Sequence, residues 1–173
     1  QRELRRRHHA DAHLKLPSFV IESLRIEGFR NLETSAFRPA PAINVLFGDN
    51  GQGKTSLLEA IYFVATTRSF RTARPREIVR HGAEGFSVRA TFLERRPDLP
   101  SLSRAQAVAL VDGAVQARID GNKPASLAEY ATLAPIVVFH PEELTLSTGP
   151  AALRGPEVYP FLSGAATLAD PPG

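Results

Sequence analysis

Residues 20–29 alternate in polarity, with Leu24, Ile26 and Ile21 on an apolar face and Glu22, Arg25 and Glu27 turned outward, which predicts a strand. Arg30-Asn31-Leu32 then turns the chain, residues 33–37 pair back as a second strand, and Pro39 and Pro41 separate this hairpin from the next apolar run. That run, residues 42–47, is short and reads as a buried strand. Over residues 55–64, Leu57, Leu58, Ile61 and Val64 share one stripe at helical spacing, predicting a helix packed on a sheet. Alternation returns at residues 86–92, 106–111 and 114–119, and Asp112-Gly113 between the last two is a strong hairpin signal. A turn and short helix over 121–134, a buried strand over 135–139 and a helix beginning at His140-Pro141-Glu142-Glu143-Leu144 complete the regular part.

This pattern divides the chain into a basic tail over residues 1–17, an α/β lobe over 18–148 and a loosely structured tail over 149–173. The first tail holds Arg2, Arg5, Arg6, Arg7, His8, His9 and His13 and reads as solvated chain rather than as a nucleic-acid arm. The last contains Leu162-Ser163-Gly164, which matches the first three letters of the LSGGQ signature of ABC-type ATPases by coincidence, because Ala165-Ala166 breaks the continuation.

Composition narrows the chemistry. With 173 residues and 43% hydrophobic content, one domain with a real core is expected, and no apolar run reaches the roughly 18 residues of a membrane helix. The absence of cysteine excludes disulfides, thiolate metal sites and cysteine catalysis, which suits a cytoplasmic protein. All but three of the 21 basic residues are arginine, a bias that either phosphate recognition or a GC-rich genome would produce. A net charge of +3 is too small to imply nucleic acid without help from placement.

The junction between the apolar run and the first helix carries the chemistry. Gly48 to Thr55, GDNGQGKT, meets every fixed position of G-x-x-x-x-G-K-[ST] and sits where a strand is expected to end and a helix begins. Gly48, Gly51 and Gly53 allow backbone conformations closed to residues with a Cβ, so that successive N–H groups can form a concave cradle for phosphate oxygens. The helix N-terminus favours the same anion, Lys54 is expected on the β- and γ-phosphates, and the Thr55 hydroxyl on a bridging Mg²⁺. The second concentration of charge comes after the helix: Arg68, Arg71, Arg74, Arg76 and Arg80 lie within thirteen residues beside the single carboxylate Glu77. A solvated loop is one reading; contact with nucleic acid or nucleotide is favoured by the interleaved Ser69, Phe70 and Thr72.

Taken in order, residues 24–32 (LRIEGFRNL), 47–61 (FGDNGQGKTSLLEAI), 68–72 (RSFRT), 118–121 (RIDG) and 137–144 (VVFHPEEL) resemble the N-terminal part of the RecF family, bacterial recombination and repair ATPases related to ABC-type and SMC ATPases. The resemblance covers about residues 19–150. It implies a P-loop ABC/SMC-type lobe, with a mixed sheet around the Walker A strand and helix and an antiparallel β subdomain. It implies ATP and Mg²⁺ held by Gly48, Asn50, Gly51, Gly53, Lys54 and Thr55, with Thr55 on the metal. Arg30 and the residues from Arg68 to Arg71 would lie near nucleotide or DNA; the charge density of the segment adds Arg74 and Arg76 to Arg68 and Arg71 as candidate DNA contacts. The implied activity is recognition of single-stranded, duplex and gapped or junction DNA in replication, recombination and the SOS response to damage. The implied partners are RecO and RecR, with loading of RecA, ATP-dependent homodimers and no membrane. The Walker B acidic pair and the signature helix of such ATPases are not found in this sequence, so the chain is expected to be a truncated or frame-disrupted copy that binds ATP without hydrolysing it. A nucleotide-binding module of a transport-type ABC ATPase is the alternative.

Overall fold

The computed structural model describes residues 18–96 and 98–139. The basic tail, the helix expected at 140–144 and the tail from 149, with Leu162-Ser163-Gly164, lie outside the described residues. The chain separates into a unit over residues 1–136 and a second over 137–173, of which only 137–139 are described.

The first unit is built on five antiparallel strands in the order β2-β1-β3-β4-β5. β1 (Ser18–Phe29) pairs with β2 (Leu32–Phe37) on one side and with β3 (Phe86–Arg95) on the other. β4 (Leu102–Val111) pairs with β3 and with β5 (Ala114–Ile119). The β4–β5 connection is the two-residue turn Asp112-Gly113, with φ of 50° and 77°. Positive φ at both positions matches the right-handed twist of the strands it joins.

Helix α1 (Lys54–Thr66) crosses one face of the sheet and inserts Leu57, Ala60, Phe63 and Val64 into a core that includes Ile26, Val88, Ala90, Val108 and Leu110. Phe63 meets Phe29 and Phe86 edge to face, with ring centroids 6.0 and 5.2 Å away, and Phe29 and Phe86 meet at 5.3 Å. Such geometry adds about 0.5–1.5 kcal/mol per pair beyond burial. The helix α2 (Leu127–Thr132) docks through buried Tyr130, whose hydroxyl donates to the Val64 carbonyl at 2.6 Å and whose own carbonyl accepts from Gln106 Nε2 at 2.7 Å. Burial pushes the Tyr130 phenol well above its ordinary pKa.

Four expectations change. The buried face of α1 is rotated from the anticipated stripe: Leu58 is half exposed, whereas Glu59 is fully buried. The α/β class holds, but the sheet of the described residues is antiparallel throughout rather than mixed. Residues 42–47 form no strand; Ile43, Val45 and Phe47 are 82%, 77% and 91% exposed. Residues 135–139 form none either. An apolar run states a need for burial, and a strand exists only where a neighbour supplies the ladder.

Candidate nucleotide site and arginine segment

The loop before α1 has the backbone that its glycines permit. Gly48, Gly51 and Gly53 have φ of 144°, 85° and 95°, in the region that residues with a Cβ avoid. A Cβ at Gly53 would stand 2.8 Å from Leu32 Cδ2 and 3.3 Å from the Asn31 amide, so these side chains would have to shift, but it is the positive φ that favours glycine there. Lys54 Nζ donates to the carbonyls of Gly48 and Asp49, both at 2.7 Å, folding its cation back over the loop. Asn50 and Thr55 are exposed beside it.

Gly53, the residue preceding α1, offers no side-chain cap, and the first turn contains no acid. The first N–H groups of the helix therefore receive no cap from Gly53, and the partial positive charge there is not neutralised by an acid in the helix's own first turn. Three positive-φ glycines, an amine held over the loop and an uncapped helix N-terminus fit a chain of phosphates. Among the described residues no group of three or more acidic or histidine side chains could hold a metal, so a Mg²⁺ here would rest on Thr55 and on the phosphates themselves.

The turn between β1 and β2 braces this loop. Arg30 adopts φ 54°, a left-handed conformation that costs a residue with a Cβ about 1–2 kcal/mol. It is held there by Arg30 N–H on the Ile78 carbonyl at 2.6 Å and by its guanidinium. Nη2 and Nε of Arg30 grip the two Glu59 oxygens at 2.6 and 3.0 Å, and Nη1 donates to the Glu77 carbonyl at 2.7 Å. The adjacent Asn31 donates to the Gly51 carbonyl and accepts from Ser56 Oγ, each at 2.7 Å.

Glu59 is the centre of a second network. Besides Arg30 it accepts from Ser69 Oγ at 2.6 Å and from Arg71 Nη1 at 3.2 Å. Burial pushes the Glu59 carboxyl up, but hydrogen bonds from Arg30 and Ser69 and the charges of Arg30 and Arg71 outweigh burial and hold it below its ordinary value. It is ionised at neutral pH and bridges α1, the β1–β2 turn and the start of the arginine segment.

That segment is more ordered than a solvated loop. Ser69 Oγ accepts from the N–H groups of Arg71 and Thr72, and Thr72 Oγ1 accepts from the Arg74 N–H while donating to Glu77. Phe70 packs edge-on against Tyr62 of α1 at 5.7 Å. The polar and aromatic residues expected to face a nucleic acid are thus used on the loop itself, because short hydroxyl side chains readily satisfy nearby backbone donors. Arg68, Arg71, Arg74 and Arg76 all lie on the exposed side. Arg71 reaches back to Glu59, Arg74 pairs loosely with Glu77 at 3.4 Å, and the Arg76 guanidinium lies over Gly113 in the β4–β5 turn. Arg30, expected near nucleotide or DNA, is committed to Glu59 and Glu77.

Sequence reasoning placed the loop and the arginines but missed Asn31 and Glu59 as their supports. Their only local signals were an asparagine in a tight turn and an acid within an apolar helix. Their partners lie 10 to 29 residues away.

Known proteins resemble this chain over most of its length. The family model described as the RecF/RecN/SMC N-terminal domain matches residues 20–154. A protein of Anaeromyxobacter sp. (strain Fw109-5) named DNA replication and repair protein RecF is 42% identical over 135 residues, 78% of this chain and 34% of its own length. One of the same name from Shewanella baltica (strain OS155 / ATCC BAA-1091) is 37% identical over 152 residues, 87% of this chain and 40% of its own. The chain thus spans between a third and two fifths of the length of these curated relatives. A solved structure of the recombination mediator protein RecF with ATP, from the RecFOR pathway, superposes with a TM-score of 0.67 at 30% identity, over 76% of this chain and 35% of the other. A structure from work on ATP-driven dimerization and DNA-stimulated activation of SMC ATPases shares the fold at a TM-score of 0.60 and 20% identity, covering 78% of this chain and 95% of the other.

Proposed function

Because the chain belongs to the RecF/RecN/SMC N-terminal domain family, we propose that it binds Mg-ATP in the loop from Gly48 to Thr55 and DNA through the arginine segment, as part of a RecF-like repair and replication protein. The observation that carries the nucleotide reading is the uncapped N-terminus of α1 behind three positive-φ glycines, with Lys54 Nζ over the loop carbonyls. Thr55 would hold a Mg²⁺ through its hydroxyl, and the ion would supply charge neutralisation at the phosphates. Lys54, with two donors on the loop and a third left over, keeps the cradle formed while presenting its charge.

The DNA reading rests on the exposed arginines at 68, 71, 74 and 76 and on kinship with proteins named for DNA replication and repair. Gap or junction recognition, work with RecO and RecR in loading RecA, pairing of two copies around ATP and a cytoplasmic location are inferred from the RecF resemblance. No helix among the described residues is long and apolar enough to cross a membrane. The family found is that of RecF, RecN and SMC proteins, so their reading is carried forward rather than that of a transport module.

Calorimetric titration with Mg-ATP tests the first half. Lys54→Ala is expected to weaken binding at least ~10-fold, about 1.4 kcal/mol, and an unchanged affinity refutes the assignment of the loop. With no acidic pair of the Walker B type in the sequence, turnover by the 173-residue chain is expected at background rate; phosphate release that disappears in Lys54→Ala would show otherwise. For DNA, each phosphate neutralised contributes about 0.9 to the slope of log affinity against log salt, so three arginines give about −3. Replacing Arg71, Arg74 and Arg76 by Ala should flatten that slope and leave ATP binding in place, whereas equal slopes remove the segment from the DNA site.

A further inference from the structure

We propose that Asn31, in the β1–β2 turn, is the positioning residue that sets the phosphate loop in its anion-ready shape; this rests on the reading of residues 48–55 as an ATP cradle. Its amide spans the loop and the helix, donating through Nδ2 to the Gly51 carbonyl and accepting through Oδ1 from Ser56 Oγ, each at 2.7 Å. In a trans peptide the C=O and the following N–H point in opposite directions. Drawing the Gly51 carbonyl toward Asn31 therefore turns the Gln52 N–H toward the opposite side of the loop, where it can serve an anion. With glycine at 51, that peptide plane could otherwise rotate at little cost.

Satisfaction of a buried group does not explain the contact. Gly51 is exposed, and its carbonyl could bond water instead. What the contact adds is direction. Only an amide of this length supplies a donor at one end and an acceptor at the other: aspartate loses the donor, alanine both. The platform does not depend on the loop, because Arg30 is fixed through Glu59, Glu77 and Ile78. Asn31 also stands 3.3 Å from where a Cβ on Gly53 would lie, so amide and glycine fit each other.

The test uses the 173-residue protein and two probes, Mg-ATP and Mg-pyrophosphate, titrated into wild type, Asn31→Ala, Asn31→Asp, Ser56→Ala and Lys54→Ala. Asn31→Ala and Asn31→Asp are expected to weaken both probes by about 10-fold, in equal proportion, with thermal midpoints near that of wild type. Ser56→Ala, which leaves the Gly51 contact in place, should weaken both by only about 2-fold to 3-fold. Should Asn31→Ala fail to fold, the isosteric Asn31→Asp carries the comparison. Loss of ATP binding with pyrophosphate binding intact would place Asn31 on the nucleoside and overturn its role in the loop. Wild-type affinity for both probes in folded Asn31 variants, alongside loss in Lys54→Ala, would overturn this proposal alone. A wild-type protein that binds neither probe overturns the cradle reading beneath it.

Discussion

The five-stranded sheet and the segment leading into the glycine loop both carry large apolar side chains, and these have opposite fates. Ile26, Val88 and Phe29 are fully buried, whereas Ile43, Val45 and Phe47 stand 77–91% exposed. The sheet strands that succeed one another through tight turns, β1 with β2 and β4 with β5, find their partners within a few residues. The segment over 42–47 has no ladder partner among the described residues. A strand that enters a loop and then a helix draws its neighbours from crossover connections of a dozen residues or more. Apolarity alone therefore does not distinguish a core strand from an exposed one; the presence of a ladder partner does, even one as far along the chain as Val88 is from Ile26.

The largest expected break in this comparison is at the aromatic centre. Phe63→Ala removes the ring packed against Phe29 and Phe86 and should cost about 3–5 kcal/mol in urea unfolding. A loss below about 1 kcal/mol would mean that the aromatic trio is not the core of the unit.

Next comes Glu59→Gln, which leaves Arg30 and Arg71 without their buried counter-charge. Because those arginines are 18% and 44% exposed, the loss should be about 2 kcal/mol at pH 7, below that of a fully buried pair. The pH dependence has a fixed sign. The folded carboxyl lies below its ordinary value, so its stabilisation is present above the unfolded pKa and is lost as the pH falls through the folded one. Wild type and Glu59→Gln should thus converge in acid and separate toward neutrality; a gap that widens in acid would contradict the network.

Tyr130→Phe sharpens the picture of how α2 is attached. It removes only the hydroxyl that serves the Val64 carbonyl, and about 1 kcal/mol is expected from thermal unfolding. No change would mean that the carbonyl finds another donor.

The smallest effect belongs to the exposed segment. Phe47→Ser should move stability by less than about 0.5 kcal/mol while reducing self-association, because it subtracts exposed apolar surface and no core. Sedimentation at increasing concentration measures the second effect. A destabilisation comparable to that of Phe63→Ala would show that the two regions are not different in kind.

Much of the fold was legible in the sequence because its determinants are local. Asp112-Gly113 specified the two-residue turn, and the strand from Ala114 to Ile119 was found with its boundaries. The family resemblance was carried by residues that the family match also spans. The stripe of α1 was misread at Leu58 and Glu59 because an acid in an apolar helix looks solvent-facing until its partners are known. Those partners, Arg30 and Arg71, come from separate turns.

By itself the sequence determined the backbone of the glycine loop before α1, since three glycines and a helix start fix its conformation within eight residues. Tertiary structure alone decided that Asn31 reaches Gly51 and Ser56, that Glu59 joins Arg30, Ser69 and Arg71, and that an apolar run before the loop stays exposed. The physical reason is range: dihedral preferences and turn chemistry act over a few residues, whereas a buried charge or a directed carbonyl depends on groups that only folding brings within about 3 Å of each other.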